Sequence, residues 1–271
     1  MTSHTDWKAV VAHAETIVRS YNTGVTLRQL FYRLVSDMTL SNTINSYKGL
    51  SRETAKARRG DGFPDLLDRT RKIHRKGFFS GLDEARTWLA AAYRRDRTEG
   101  QDTSIYLGVE KNGIVEQLDA WFSDLGIPIL ALGGYASQSY ADMVRDYVDC
   151  DERAAVLIYA GDFDPTGEDI DRDFVERADC FDKVIRIALN SEQVTSYNLP
   201  PQPGKTTDSR ASQFIARHGE LVQVELDALP PDVLQGLYQE AIDNFWDTSM
   251  YENVLAKEDA ERRSLEDAIN S

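Results

Sequence analysis

Cysteine and long apolar runs are what this chain of 271 residues has least of. Its two cysteines, Cys150 and Cys180, belong to no C-x-x-C pair, which excludes a disulfide-stabilised scaffold and a zinc ribbon. No stretch reaches the roughly 18 consecutive apolar residues of a membrane span, and the first residues lack the basic-then-apolar pattern of a signal peptide. We therefore expect a cytoplasmic protein that does not enter a membrane.

The net charge of −14 argues against a nucleic-acid partner until its distribution is considered. Residues 1–97 contain 18 Lys and Arg against 10 Asp and Glu, whereas residues 98–271 contain 13 against 35. The basic residues concentrate further between positions 48 and 76. A basic first third joined to an acidic remainder indicates a surface for an anionic partner. The alternative is a chance distribution on a solvated surface.

The first hundred residues predict a small helical module. Residues 6–20 carry an apolar stripe at helical spacing, and Thr26 with Gln29 forms a capping-box pattern. The helix that follows has one apolar face, made of Leu27, Leu30, Phe31, Leu34 and Val35. A third helix is predicted over residues 43–59, with a turn or wing at 62–65. Three short helices, a turn and a basic surface are typical of a helix-turn-helix or winged-helix DNA-binding module.

A change of pattern near residue 100 predicts two domains, the winged-helix-like module over residues 1–100 and an α/β domain over residues 101–271. In the second, short apolar segments alternate with amphipathic ones, which is typical of a parallel sheet with helices on both faces. The predicted strands are 105–109, 127–132, 154–159 and 184–188, and the predicted helices are 112–125, 137–148 and 168–177. A mobile loop at 198–209, a short strand at 221–226 and a helical C-terminus from residue 230 complete the prediction.

Carboxylates follow two of these strands where each strand ends. Glu110 follows the first strand, and Asp162 and Asp164 follow the third. Because ligands of open parallel sheets bind beyond the carboxyl ends of the strands, the three side chains can face one cation. Carboxylate oxygens are the ligands that Mg²⁺ prefers. The alternative is that Asp162 and Asp164 only cap the next helix.

These motifs resemble the Toprim domain. The segments that carry the resemblance are Tyr106-Leu107-Gly108-Val109-Glu110-Lys111, Gly133-Gly134-Tyr135 and Ile158-Tyr159-Ala160-Gly161-Asp162-Phe163-Asp164-Pro165-Thr166-Gly167. The resemblance implies a Rossmann-like sheet, with Mg²⁺ held by Glu110, Asp162 and Asp164 and with Glu110 acting as acid or base. It leaves open whether Glu168, Asp169 or Asp171 assists.

A second motif resembles one branch of the Toprim proteins. Thr26-Leu27-Arg28-Gln29-Leu30-Phe31-Tyr32 is similar to the tyrosine motif of the topoisomerase VI A subunit and of the related meiotic double-strand-break protein. In that family a winged-helix domain precedes the Toprim domain, as it does here. The resemblance implies that Tyr32 is a nucleophile supported by Arg28.

A helical wheel tests that assignment independently. Tyr32 lies roughly 130° from the centre of the apolar face, so we expect its side chain to point away from the core of the module. An exposed tyrosine that merely contacts DNA would satisfy the same pattern.

The resemblance also implies an activity and partners. The topoisomerase VI A subunit is clearly longer than this chain, which looks like the reduced "mini-A" proteins. The implied activity is Mg²⁺-dependent cleavage of double-stranded DNA by tyrosine transesterification, in a homodimer that supplies one tyrosine per strand. A separate ATPase subunit is a further candidate partner. Two alternatives stay open: a hydrolytic Toprim nuclease, and a non-catalytic DNA-binding protein that retains the fold.

The basic segment supplies the residues expected to contact DNA. They are Arg52, Lys56, Arg58, Arg59, Arg71 and Lys72. Contacts from Arg and Lys to phosphates dominate DNA affinity. The alternative is a solvated helix face with no ligand.

We predict that DNA affinity falls steeply as the salt concentration rises, because each phosphate contact releases counterions. Replacing Arg58 and Arg59 together with glutamine should flatten the slope of log affinity against log salt by about one unit for each phosphate that is no longer neutralised. Fluorescence anisotropy with a labelled duplex measures both slopes. If the affinity of the parent protein does not change with salt, the basic segment is an ordinary solvated surface.

Overall fold

A computed structural model describes residues 5–21, 24–60, 62–67, 76–134, 136–203 and 209–270. Its α-helices are α1 Trp7–Ser20, α2 Leu27–Ser36, α3 Ile44–Arg58, α4 Leu82–Ala92, α5 Asn112–Phe122, α6 Gln138–Val148, α7 Gly167–Ala178, α8 Ser191–Ser196, α9 Ala211–His218, α10 Pro231–Asp243 and α11 Thr248–Asn270. Its strands are β1 Thr103–Val109, β2 Ile129–Ala131, β3 Ala154–Ala160, β4 Lys183–Ala188, β5 Gln202–Pro203 and β6 Val222–Gln223. None of these helices is long and apolar enough to span a membrane.

Four of the strands form one parallel sheet in the order β2-β1-β3-β4. Leu107 of β1 pairs with Ile129 on one side and with Ile158 on the other. The predicted α/β architecture is therefore confirmed at the level of a parallel sheet with flanking helices. Since β1 and β3 are neighbours and run in the same direction, the segments that follow them leave the sheet at the same edge.

Alternation of side chains along the strands fills both faces of the sheet. Ile105, Leu107 and Val109 point to a core shared with α5 and α10. Tyr106 and Tyr159 point to the opposite core, which α6 and α7 cover. Strands buried on both faces read as continuous apolar runs, which explains why their sequences show no clear alternation.

The helices α1, α2 and α3 pack together and continue into the core on the α5 side of the sheet. A buried hydrogen bond joins the two parts, from Gln29 Nε2 to Gln117 Oε1 at 3.1 Å. The predicted capping box is confirmed, because the Thr26 hydroxyl accepts from the Gln29 amide and the Gln29 side chain accepts from the Thr26 amide. The winged-helix interpretation rests on the pattern alone. The structure adds one isolated bridge between Thr26 and Leu67.

The expected exposure of Tyr32 is wrong. Its side chain is only 5% exposed, and its hydroxyl accepts a hydrogen bond from Gln202 Nε2 at 3.3 Å. The helical wheel placed Tyr32 away from the apolar stripe of its own module. It could not show that β5, 170 residues further along the chain, covers that side of α2.

The segment between the sheet and the C-terminal helices differs most from the prediction. Helices α8 and α9 were not predicted, and the expected strand at 221–226 is the two-residue β6 followed by a 3-10 turn at Leu226–Ala228. Part of the expected loop forms β5, which pairs antiparallel with β6, and residues 204–208 lie outside the described residues. Short elements of this kind carry too few residues for a periodic pattern.

A buried ion cluster attaches α11 to the segment that precedes β1, where the domain boundary is predicted. Glu258 is 1% exposed and lies 2.8 Å from Arg97 and 2.7 Å from Arg262. The two guanidinium groups hold the pKa of Glu258 down at about 2, since their hydrogen bonds and charges outweigh the effect of burial. The predicted break of the C-terminal helix near residue 247 is confirmed by the gap between α10 and α11.

We predict that Gly49→Ala destabilises the protein by about 1–3 kcal/mol, although alanine is the better helix former. Gly49 lies within α3, where a β-carbon would overlap the indole ring of Trp7 in α1. The matched control is Gly236→Ala in α10, where nothing lies within 4 Å of the added methyl group. That variant should gain about 0.5–1 kcal/mol. Urea unfolding of both variants measures the two free energies, and a stabilised Gly49→Ala protein would contradict this packing of α1 on α3.

Candidate metal centre and its connection to the N-terminal helices

Glu110 and the loop that carries Asp162 and Asp164 lie side by side at the carboxyl edge of the sheet. The Glu110 amide donates to the carbonyl of Ala160 at 3.0 Å. In return, Glu110 Oε2 accepts a hydrogen bond from the Asp162 amide at 2.7 Å. Adjacent parallel strands thus bring together two carboxylates that are 52 residues apart in the sequence.

The two aspartates have different partners. Asp164 Oδ1 accepts from the amide of Gly167 at 2.6 Å, so it satisfies one free amide at the start of α7, although Thr166 is the N-cap residue. Asp162 makes no such contact among those the structure describes. Its Oδ1 accepts from the Leu226 amide at 2.7 Å and lies 3.1 Å from Lys111 Nζ. Capping therefore accounts for Asp164 but not for Asp162, and each of these contacts uses only one carboxylate oxygen.

Close backbone approaches and one arginine hold this edge in shape. A β-carbon on Gly133 would overlap the carbonyl oxygen of Glu110, and one on Gly167 would overlap that of Asp162. Arg186 of β4 donates to the carbonyls of Asp162 at 2.7 Å and Gly167 at 3.1 Å. Both ends of the D-x-D-x-x-G loop are thereby tied to the neighbouring strand.

Burial makes Glu110 and Asp162 harder to ionise than free carboxyl groups. Burial, together with the negative charges of Asp162 and Asp164, raises the pKa of Glu110 to about 7. Burial also raises the pKa of Asp162, although Lys111 opposes the change. Such like-charge pairs are typical of functional sites. A cation placed between them would relieve the repulsion.

Lys111 supplies positive charge at the centre of an acidic cluster. Its ammonium group lies 3.1 Å from Asp162, 2.9 Å from Glu225 and 3.3 Å from Asp227. Burial disfavours the charged form, but the three carboxylates outweigh it and raise the pKa of Lys111 above its ordinary value. The ammonium group therefore stays charged, and it partly neutralises the acidic edge.

The same cluster reaches the predicted nucleophile. Arg28 forms an ion pair with Glu225, and its Nε lies 3.6 Å from Asp227 Oδ2. The guanidinium group lies 5.9 Å from the centre of the Tyr32 ring. A continuous series of contacts thus runs from α2 through Glu225 and Lys111 to the edge of the sheet.

Tyr32 borders a cavity of about 290 Å³ between the two parts of the chain. Arg28, Gln202 and Glu225 are among the residues that line it. Burial raises the pKa of the Tyr32 hydroxyl, and the charge of Glu225 raises it further. In this conformation the phenol is therefore a weaker nucleophile than a free tyrosine.

The three acids whose role the sequence left open are paired with cations. Glu168 lies 2.7 Å from His218 and 2.9 Å from Arg217. The other pairs are Asp169 with Arg172 at 2.7 Å, Asp169 with Arg210 at 2.9 Å, and Asp171 with Arg186 at 3.2 Å. These ion pairs give each of the three carboxylates a structural partner.

The donors at the sheet edge suit a hard divalent cation in their chemistry. Glu110, Asp162 and Asp164 are all oxygen ligands, and their mutual repulsion contributes to the raised pKa of Glu110. In the part of the chain that the structure describes, however, no three His, Cys, Asp or Glu side chains are arranged as a ready metal site. The chemistry of the donors fits, and bringing the three carboxylates onto one cation would need movements of their side chains.

The basic residues predicted to contact DNA divide into two sets. Arg52 and Lys56 of α3 and Arg59, the C-cap residue of that helix, are exposed and lie at helical spacing on one face. Arg58 is half-buried beside them. Arg71 and Lys72 lie outside the described residues, as does Tyr135 of the Gly133-Gly134-Tyr135 motif.

Sequence reasoning missed the residues that connect the two parts of the site. Glu225 and Asp227 were assigned no role, and Lys111 was noticed only as part of a motif. The available signal was a carboxylate alternating with apolar residues in Val224-Glu225-Leu226-Asp227-Ala228. Arg186 had no signal, because a single arginine in a strand is unremarkable.

Comparison of the chain with protein-family models and with curated proteins finds no match. The resemblance to Toprim proteins therefore rests on the motif residues. Of those residues, the structure places Glu110 beside the loop of Asp162 at one edge of the sheet.

We predict that Glu110→Gln stabilises the metal-free protein, relative to the parent, more at about pH 8 than at about pH 5. The pKa of Glu110 is about 7 in the folded chain against an ordinary value of 4.5. Between those values the unfolded chain releases a proton that the folded chain keeps, so the parent loses stability as the pH rises. Removing the carboxyl group should recover about 1–3 kcal/mol at the higher pH.

Urea unfolding in EDTA at both pH values measures this difference. Glu240→Gln, which removes an exposed carboxyl group of α10, is the control and should show no such pH dependence. An equal effect of Glu110→Gln at both pH values would mean that Glu110 ionises normally in the folded protein.

Proposed function

We propose that the protein cleaves double-stranded DNA in a Mg²⁺-dependent reaction, with Tyr32 as the nucleophile that forms a covalent bond to DNA. The single observation that carries the proposal is the series of contacts from Tyr32 and Arg28 through Glu225 and Lys111 to Asp162. Two motifs that lie more than 100 residues apart in the sequence thus belong to one polar cluster. A nucleophile, two cations and a carboxylate edge are the groups that transfer of a phosphodiester requires.

Glu110, Asp162 and Asp164 are the residues that would hold Mg²⁺. When bound, Mg²⁺ supplies positive charge that stabilises the phosphate oxygens in the transition state. The protein contributes the rest through its own groups. Arg28 and Lys111 attract the phosphodiester, and the close backbone packing at Gly133 and Gly167 keeps the acidic edge in shape.

The covalent step exchanges one phosphoester for another. The phenol oxygen of Tyr32 forms a bond to phosphorus while the bond from phosphorus to the 3′-oxygen of DNA breaks. The proton that the phenol loses is balanced by the proton that the leaving 3′-oxygen gains. Glu110, with a pKa of about 7, can hold or release a proton near neutral pH.

A hydrolytic nuclease is the second candidate, and one observation favours it. Tyr32 is 5% exposed and hydrogen-bonded to Gln202. Hydrolysis would need the acidic edge and a water molecule but no tyrosine. The tyrosine mechanism requires that DNA binding uncover Tyr32.

Double-stranded DNA is the proposed partner, bound along the exposed face of α3 formed by Arg52, Lys56 and Arg59. A homodimer is proposed because breaking both strands needs two tyrosines, and each chain supplies one. A separate ATPase subunit would be required only for strand passage, and cleavage itself does not need it.

Two variants separate these mechanisms. Tyr32→Phe removes one hydroxyl group, and Asp162→Asn removes one charge from the acidic edge. Each protein is incubated with supercoiled DNA and Mg²⁺ and quenched with detergent. The products are then examined for nicks, for linear DNA and for protein attached to DNA ends. We expect the parent to form covalent adducts and both variants to lose cleavage by a factor of at least about 100, while the variants still bind DNA.

The outcomes are distinct. Free cleaved DNA from both the parent and Tyr32→Phe would establish the hydrolytic nuclease instead. Intact DNA in every reaction would leave a DNA-binding protein without cleavage activity. Circular dichroism of both variants checks that the fold is retained.

A further inference from the structure

Two cations near the proposed reaction centre are held by two carboxylates of the same chain. Arg28 and Lys111 both contact Glu225, and both also lie near Asp227. The carboxylates follow β6, while Arg28 belongs to α2 and Lys111 follows β1. Glu225 therefore bridges the N-terminal helices and the edge of the sheet.

The local balance of charge is unfavourable for DNA. Two cations face three carboxylates, those of Asp162, Glu225 and Asp227. Glu110 adds further negative charge when it ionises. A phosphodiester that approaches Arg28 and Lys111 meets both a net negative charge and binding groups that are already paired.

The exposure of the Arg28 side chain indicates that it can exchange Glu225 for another anion. The Arg28 side chain is 48% exposed, whereas that of Glu225 is 14% exposed. An arginine that borders an open cavity can turn toward a new anion without leaving its helix. Carboxylate and phosphate bind the guanidinium group in similar two-pronged geometries, so one can replace the other.

We infer that Glu225, assisted by Asp227, is an intramolecular competitor that occupies the phosphodiester-binding groups Arg28 and Lys111 until DNA displaces it. The same displacement loosens the contact between α2 and the segment that covers Tyr32. Glu225 thereby regulates access to the site. This inference rests on the proposed function, because it requires DNA as the ligand.

A positioning role for Glu225 predicts a change of DNA affinity in the opposite direction. If Glu225 instead orients Arg28 for phosphate, removing its charge would weaken DNA binding. General loss of stability would also weaken binding. Competition makes the protein with a neutral residue 225 the tighter binder, and by more than the loss of one negative charge elsewhere on the surface.

The test is DNA binding by Glu225→Gln in EDTA, where cleavage does not interfere. The probe is a fluorescein-labelled duplex of mixed sequence, and anisotropy gives the dissociation constant at fixed salt. We expect binding about threefold to tenfold tighter than that of the parent, the range for release of a partly buried ion pair. Asp227→Asn, whose contacts are longer, should give a smaller gain in the same direction.

Glu220→Gln is the matched control. Glu220 is exposed and lies five residues before Glu225, so this variant removes the same formal charge away from the cluster. It should bind DNA nearly as the parent does. If it gains as much as Glu225→Gln, the effect is one of net charge, and competition at Arg28 and Lys111 is excluded.

A double variant tests whether the gain in DNA affinity depends on Arg28. Glu225→Gln combined with Arg28→Ala should lose most of the gain seen with Glu225→Gln alone. Unchanged or weaker binding by a folded Glu225→Gln protein would overturn the inference. If neither the parent nor any variant binds the duplex, the proposed function itself has failed, and the competitor role fails with it.

Discussion

Compensation of buried negative charge is the interaction on which the rest of this structure depends. The carboxyl edge of the sheet holds the half-buried Glu110 close to the buried Asp162. Charges in such a place must be paired or neutralised, because burial disfavours the ionised form. Lys111 supplies the pairing, and the raised pKa of Glu110 shows that it is incomplete.

The same compensation joins the two parts of the chain. The single positive charge of Lys111 cannot neutralise all the carboxylates that it faces. Arg28 of α2 therefore neutralises the remaining charge of Glu225. The mostly buried carboxylates of Glu225 and Asp227 are costly to leave unpaired. The N-terminal helices are therefore attached to the sheet by polar contacts as well as by the shared apolar core, and Gln29 with Gln117 adds one such contact.

Polar attachment has a functional consequence that an apolar interface would lack. Contacts between charges can be exchanged for contacts with an anionic ligand, whereas a packed apolar surface has no group that binds an anion. In this conformation Tyr32 is buried and Arg28 is paired with Glu225. The proposed chemistry needs a second state, and the exchangeable groups lie at the boundary where that state would form.

The sequence by itself determined the longer local elements and the class of fold. The capping box at Thr26, the strands around Glu110 and Asp162 and the break before α11 follow from patterns within a few residues of each other. Adjacency of the two acidic loops also followed, because parallel strands end at one edge. Only the tertiary structure decided the burial of Tyr32 and the pairing of Glu225 with Arg28 and Lys111. Those contacts join residues 114 to 197 positions apart, a separation at which no helical or strand period carries information.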